Sequence, residues 1–285
     1  MQSTPDKPLL GFLAGRVARE ETYKDALHDF IKDYKDVLAN YHLLVTGGTS
    51  RDIFNPGVRP TRYPDLYRNS TQLRPGKAGG LVELCGYVRD RKCNTIIFIT
   101  DPQDAEENFP ENRELFRTCA MEGATLLTTL YSAKLWASNE AIEPRGDVVA
   151  AKQGDTIALI AHDAKKLRMC HFVVKYRDQL AFFDRIMATG KTGESVRDFL
   201  DLFGDLGGKV QVEAHGPGGG DVFVSNEILR GRCQHVVFFL DPETAHPHEA
   251  DIYALFRVCT CPDTEVNLRM TYHAAESWIE KVPSR

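Results

Sequence analysis

Apolar and polar positions follow one another in two rhythms, short unbroken apolar runs and longer stretches at helical spacing. Leu9-Leu10-Gly11-Phe12-Leu13-Ala14 is apolar throughout, as expected of a strand buried on both faces. From Tyr23 to Leu38, the residues Ala26, Leu27, Phe30, Ile31, Tyr34 and Leu38 recur at the spacing that lines one face of a helix. His42-Leu43-Leu44-Val45 predicts a second strand, with Thr46-Gly47-Gly48-Thr49-Ser50 a polar turn behind it. Arg59 to Lys77, with its prolines and scattered arginines, reads as loop. Ala78-Gly79-Gly80 then opens a helix from Leu81 to Arg89. Thr95-Ile96-Ile97-Phe98-Ile99-Thr100 is the clearest strand of this half, stopped by Asp101-Pro102. A helix over Asn112 to Glu122 and a strand over Thr125-Leu126-Leu127-Thr128 follow.

Beyond Asn139 the composition shifts. Glu143-Pro144-Arg145-Gly146-Asp147 and Lys152-Gln153-Gly154 have the character of a linker. The expected division is therefore residues 1–142, a linker 143–154 and residues 155–285. The plan then repeats: strand Thr156 to Ala161, amphipathic helix Lys165 to Phe182, and a strand through Ile186 into Thr189-Gly190-Lys191-Thr192-Gly193. A helix from Glu194 to Leu202, a glycine-rich run and a helix from Val222 to Leu229 come next. His235-Val236-Val237-Phe238-Phe239-Leu240 is the strongest strand, ended by Asp241-Pro242, and helices over Ala250 to Val258 and Ala274 to Lys281 close the chain. Asp101-Pro102 returns 140 residues later as Asp241-Pro242, Gly79-Gly80 140 later as Gly219-Gly220, and Thr46-Gly47 143 later as Thr189-Gly190. Three landmarks at nearly one offset indicate a tandem duplication. Buried strands alternating with helices imply a parallel sheet covered on both faces, with ligands at the carboxyl ends of its strands.

The 285 residues are 42% hydrophobic and 26% charged, the balance of a globular protein with a full core. A net charge of −5 gives no reason to expect nucleic acid or an anionic membrane as partner. The 7 scattered cysteines suit reduced thiols and a cytoplasmic setting. Cys259 and Cys261 lack companions at zinc-ligand spacing. Met1 to Lys7 is polar, and the apolar run from Pro8 to Gly15 is too short for a membrane span and lacks a secretory n-region.

The chemistry-bearing residues cluster at predicted strand ends. His215-Gly216-Pro217-Gly218-Gly219-Gly220-Asp221 can continue neither a helix nor a central strand. It is either a phosphate cradle beside a general base or a plain strand-to-helix turn. After the first strand of the second half, His162 either positions a substrate oxygen, or Asp163 simply caps the next helix. Ala14-Gly15-Arg16 of the first half has neither group. Thr189-Gly190-Lys191-Thr192-Gly193 contains Gly-Lys-Thr, but a nucleotide P-loop needs a glycine where Arg185 stands. Its hydroxyls and N–H groups at a helix start still suit a phosphate. Lys166 either adds positive charge there or is an ordinary solvated lysine. His248 and Asp251 follow the fourth strand, where an imidazole either polarises a carbonyl or donates a proton. Histidines and acids in one loop also raise a metal, but a third well-spaced ligand is missing. Together these groups fit proton abstraction next to the carbonyl of a small phosphorylated molecule.

At this point the second half resembles methylglyoxal synthase along most of Asp155 to Ile279. The matching runs are Ile157 to Asp163, Ala188-Thr189-Gly190 with Thr192-Gly193, Gly216-Pro217 with Gly219-Gly220-Asp221, and Phe238-Phe239 with Asp241-Pro242 and Pro247-His248. The resemblance implies an α/β fold of tandem flavodoxin-like, three-layer domains with mainly parallel sheets. The same fold serves the regulatory domain of carbamoyl phosphate synthetase and a cyclohydrolase domain of purine biosynthesis. It implies conversion of dihydroxyacetone phosphate to methylglyoxal and inorganic phosphate without metal or cofactor. Asp221 matches the catalytic base and His248 the residue that hydrogen-bonds substrate oxygens, with Asp163, Asp241 and Asp251 shaping the acidic surroundings. His162, Lys166, Thr189, Gly190, Lys191, Thr192, His215 and Gly216 match substrate- and phosphate-binding positions. The chain departs from the family at Lys191, usually a hydroxyl residue, and at His215, usually serine. Part of the family's C-terminal tail is expected to be missing after Arg285.

The first half keeps Thr46-Gly47 with Thr49, Gly79-Gly80 and Asp101-Pro102, but Leu81 stands where Asp221 would be. It is expected to be catalytically dead, and structural rather than effector-binding. Because the family forms hexamers, a chain with two such domains is expected to form a homo-oligomer, namely a trimer with pseudo-sixfold packing. The rival reading is a phosphometabolite sensor, which needs the phosphate turn but has no use for Asp221, His248 and His162 together. A structural partner of another enzyme suits the first half better than the second.

Overall fold

A computed structural model describes residues 7–16, 24–54, 63–100, 110–141, 148–213, 220–241, 249–261 and 264–284, with only the backbone of 110–111 and 249–253. The chain divides into two compact units, Met1–Val148 and Val149–Arg285. Each unit carries one five-stranded sheet, and all the pairings are parallel.

In the first unit the strands are β1 (Leu9–Ala14), β2 (His42–Val45), β3 (Ser70–Gln72), β4 (Cys93–Ile99) and β5 (Thr125–Leu127). Its helices are α1 (Lys24–Asp33), α2 (Lys35–Ala39), α3 (Gly47–Thr49, running into a π turn over Ser50–Phe54), α4 (Pro64–Arg68), α5 (Gly80–Arg89), α6 (Pro110–Glu122) and α7 (Leu130–Glu140). The second unit has β6 (Thr156–Ala161), β7 (Arg185–Thr189), β8 (Val210–Glu213), β9 (His235–Phe239) and β10 (Asn267–Arg269). Around them lie α8 (Lys166–Lys175), α9 (Arg177–Leu180), α10 (Gly190–Leu202), α11 (Gly220–Leu229), α12 (Glu249–Thr260) and α13 (Tyr272–Ile279). No helix among the described residues is long and apolar enough to cross a membrane.

Counted from each unit's start, both sheets have the order 3-2-1-4-5. The α/β, three-layer class is the expected one, although flavodoxin itself orders its strands 2-1-3-4-5. The order reverses between β1 and β4 in one unit and between β6 and β9 in the other. Neighbouring strand ends there lead helices to opposite faces, which opens a crevice at the carboxyl edge.

Burial on both faces explains the unbroken apolar runs. Along β6, Ile157 and Leu159 pack with Phe172 of α8, Leu200 of α10 and Trp278 of α13. Ala158 and Ile160 face the other way, toward Val224 and Ile228 of α11 and Leu255 of α12. The duplication extends to details. The long first helix predicted in each half breaks at a buried tyrosine, Tyr34 or Tyr176, with nearly the same backbone angles (φ −111°, ψ 23° and φ −110°, ψ 28°). Each hydroxyl reaches the unit's last helix or the turn after it: Tyr34 bonds Ser138 at 2.7 Å, and Tyr176 donates to Glu276 at 2.7 Å and Glu280 at 3.0 Å. Thr129 and Thr271 cap those last helices alike, each hydroxyl accepting the N–H three residues on. The loop expected over Arg59 to Lys77 holds α4 and β3, and α7, β8 and β10 were not predicted either.

The units differ in one part of their cores. In the second, fully buried His235 donates through Nε2 to Asp155 Oδ2 (2.8 Å), accepts Asn267 Nδ2 at Nδ1 (3.3 Å) and stacks on Trp278 (5.0 Å between centroids). Arg269 is also buried, its guanidinium pushed down to about 9 by loss of solvation, and no ion pair holds it among the described residues. Burial holds His235 below the usual imidazole range against the pull of Asp155, and the Arg269 charge adds to the depression. Burial also pushes the Asp155 carboxyl up, but the bonds from His235 and the Lys152 N–H outweigh it and leave the group lowered.

The sign follows. An unfolded His235 takes a proton near pH 6.5 whereas the folded one stays neutral, so its contribution is complete above that pH and is lost as pH falls. Asp155 adds to the loss below its ordinary value of 3.8. With Trp136→Phe leaving Trp278 as the reporter, the urea midpoint of the second unit is expected to fall between pH 7 and 5, as its unfolding free energy drops by up to about 1.4 kcal/mol per pH unit. A midpoint independent of pH over that range would contradict a neutral buried His235.

Candidate active site

Because every strand is parallel, all five carboxyl ends of the second sheet lie on one edge. β6 delivers His162 there. Its N–H donates to Phe239 O at the end of β9 (3.2 Å), and its ring packs edge-on against Phe238 (5.1 Å). His162 Nδ1 accepts the N–H of Asp241 (2.8 Å), which places the ring proton on Nε2 in the neutral form. Sequence reasoning noted His162 and Asp163 but missed Lys165. Its N–H donates to His162 O (2.8 Å), and its Nζ lies 3.5 Å from Oδ1 of buried Asp241. The signal was available, since Lys165 stands three residues after the histidine.

Asp163 and Lys166 are brought together, but with each other. They form a close ion pair at the surface, with the Asp163 side chain 93% exposed. The hydrogen bond from Lys166 is the main cause of a lowered Asp163 carboxyl, with Lys191 and His162 adding weaker pulls. A carboxylate so placed shapes charge more readily than it takes a proton from carbon.

The phosphate-like turn is the first turn of α10, which begins at Gly190 instead of Glu194. Gly190 has φ +46°, the left-handed region where a Cβ is strained. Lys191 is exposed, whereas Thr189 and Thr192 are buried. The Thr192 hydroxyl donates to Ala161 O (3.3 Å), and Thr49 makes the same bond to Ala14 O in the first unit (3.3 Å). That hydroxyl therefore latches the helix to the first strand in both units. Backbone N–H groups and Lys191 are what the turn offers an anion.

Asp221 is the second residue of α11 and is half-buried. A carboxylate in a helix's first turn is favoured by the helix dipole. The far end of α11 is fixed by Glu227, buried and gripped by Arg232 and by Arg185 of β7 (2.7 Å). The Arg232 hydrogen bond, with Arg185 adding, brings the Glu227 carboxyl down to about 2 despite burial. At the equivalent place in the first unit, Leu81 joins the core. Before it, Gly79 has φ +97°, and a Cβ on Gly80 would lie 2.0 Å from Arg74 O. The glycine pair is a requirement of the fold there, independent of any acid. Gly15 N still donates to Ile99 O (2.8 Å), as His162 N does to Phe239 O, so the frame persists without the imidazole.

His215, Gly216 and His248 lie outside the described residues, as does the side chain of Asp251, whose backbone is in α12. Among the described residues, no three His, Cys, Asp or Glu side chains gather as a metal site.

No family model matches the chain. A methylglyoxal synthase of Clostridium beijerinckii is 42% identical over 110 residues, 39% of this chain and 87% of that protein. One of Thermus thermophilus is 40% identical over 128 residues, 44% of this chain and 94% of that protein. Both spans are shorter than either compact unit. The crystal structure of a methylglyoxal synthase from Elizabethkingia anophelis has a TM-score of 0.39 and 31% identity, covering 45% of this chain and 78% of that one.

Gly190→Ala tests the turn. A Cβ in the left-handed region is expected to cost the second unit about 1 kcal/mol in urea unfolding and to weaken inorganic phosphate binding. Unchanged stability and unchanged phosphate affinity would show that the turn tolerates a side chain and is not a cradle.

Proposed function

Since the chain belongs to the methylglyoxal synthase family, we propose that its second unit converts dihydroxyacetone phosphate to methylglyoxal and inorganic phosphate. The observation that carries this reading is Asp221 at the start of α11, on the same sheet edge as His162 and the α10 turn. The corresponding first-unit positions hold Leu81 and Gly15.

In this reading the phosphoryl group sits against the first turn of α10, with Thr189, Gly190, Lys191 and Thr192, and with Lys166, His162, His215 and Gly216 around it. Asp221 takes a proton from the hydroxyl-bearing carbon next to the carbonyl, and the C–H electrons pass to the carbonyl oxygen to give an enediolate. His248 and His162 stabilise the negative charge by hydrogen bonding. The hydroxyl on the deprotonated carbon then gives up its proton as that carbon becomes an aldehyde, the carbon–carbon double bond shifts toward the phosphate-bearing carbon, and the C–O bond there breaks, phosphate leaving with its electron pair. The remaining enol takes up one proton at its terminal carbon, which becomes the methyl group of methylglyoxal, and releases its hydroxyl proton as the middle carbon becomes the ketone. Asp163, Asp241 and Asp251 set the charge around these steps.

Residues 1–142 then serve as a degenerate structural partner, 143–154 as linker and 155–285 as the catalytic domain. We place the enzyme in the cytoplasm as a homo-oligomer, a trimer of two-domain chains. Light scattering is expected to give three times the 32.0 kDa chain mass, and a monomer mass would exclude that assembly.

Purified protein is expected to form methylglyoxal from dihydroxyacetone phosphate, with kcat reduced at least about 10²-fold in Asp221→Asn. An inactive wild type, or an undiminished Asp221→Asn, would overturn the assignment. Phosphate binding without turnover would favour the regulatory alternative, a phosphometabolite sensor.

A further inference from the structure

The crevice edge contains two lysines and two aspartates paired across it, and the pairs are not equivalent. Lys166 meets Asp163, whose carboxylate stands in water with its side chain 93% exposed. Lys165 meets Asp241, whose side chain is 3% exposed while that of Lys165 is 27% exposed. A carboxylate taken out of water is costly unless a charge and hydrogen bonds compensate it, so the inner pair is the one on which local geometry depends. Its backbone is tied into the same structure. Asp241 N–H holds His162 Nδ1, Lys165 N–H holds His162 O, and His162 N–H holds the end of β9. His162, Lys165 and Asp241 thus close a loop across β6 and β9, the two strands between which the order reverses.

We propose that Lys165 is a positioning residue of this site: its ammonium keeps Asp241 ionised and seated, and through the Asp241 N–H it fixes the tautomer and orientation of His162. This rests on the catalytic reading for its effect on turnover, but not for the pairing itself. The first unit supplies the comparison, because its Gly15 to Ile99 backbone bond forms with no imidazole present. The fold therefore does not demand the loop. The other charged groups at the described edge are Asp163, Lys166 and Lys191, which act on one another, and Asp221 on α11. None of these replaces the ammonium 3.5 Å from Asp241 Oδ1.

An opposite charge at this distance lowers a carboxyl by about one to three pH units, so removing it raises Asp241 by a comparable amount. The direct test is 13C NMR of carboxyl-labelled aspartates in the full chain, with the Asp241 resonance assigned from Asp241→Asn. Lys165→Met, and Lys165→Gln should the first fold poorly, are expected to move the Asp241 titration upward by at least about one unit. Lys165→Arg is expected to restore it, and Lys166→Met to leave it in place. In turnover assays the acid limb of kcat/KM is expected to move upward in Lys165→Met, and that shift to vanish in the Asp241→Asn background. An Asp241 titration identical in wild type and Lys165→Met would overturn the proposal, as would a loss of stability with no movement of either pH profile. If the wild type does not turn over dihydroxyacetone phosphate, the catalytic reading fails, and the NMR titration still decides the pairing.

Discussion

One backbone hydrogen bond organises each unit: the residue that leaves the first strand donates to the end of the fourth. Gly15 to Ile99 and His162 to Phe239 are the two copies. Each lies where strand order reverses, so the chain on one side leads to one helical layer and on the other side to the opposite layer. The crevice that results is a property of the fold, present with or without chemistry. In the second unit, His162, Lys165 and Asp241 surround that bond, and the same edge carries the α10 turn and the start of α11.

The two units of like topology separate what the shared fold uses from what only one of them carries. The tyrosine at each helix break, the threonine caps of the last helices and the Thr49 and Thr192 latches occur in both. These belong to folding. Asp221 and His162 occur only in the second, opposite Leu81 and Gly15. The buried polar group of His235, Asp155, Asn267 and Arg269 is likewise particular to the second unit, where the first has Thr95 in the place of His235 and Leu127 in the place of Arg269. His235, Asp155 and Asn267 lie at or just before the starts of β9, β6 and β10, away from the carboxyl edge, with Arg269 at the end of β10, and the energetic consequence of the group is for stability.

Strands β1, β2, β4, β6 and β9 were legible because central parallel strands are buried on both faces and so are continuously apolar. β3, β8 and β10 were not. They are edge strands of three or four residues, such as Ser70-Thr71-Gln72 and Asn267-Leu268-Arg269, and periodicity has too little to act on. α7 escaped because Leu130–Glu140 begins at a threonine cap with no glycine or proline to mark it. At the candidate site, residue types and repeat offsets singled out His162, the Thr189–Thr192 turn and Asp221, which the fold brings to one sheet edge. They did not distinguish Lys165 from Lys166, since which of two adjacent lysines pairs inside the crevice is decided by the buried carboxylate at Asp241, 75 residues further along the chain from Lys166.

Proton removal from carbon by Asp221 is the step on which the assignment stands. Its most direct measurement is 1H NMR of dihydroxyacetone phosphate incubated with the intact chain in D2O. Methylglyoxal carrying deuterium in its methyl group, released together with an equal amount of phosphate, is expected from the wild type and not from Asp221→Asn. Substrate left intact by the wild type, or labelled product formed at the wild-type rate by Asp221→Asn, would contradict it.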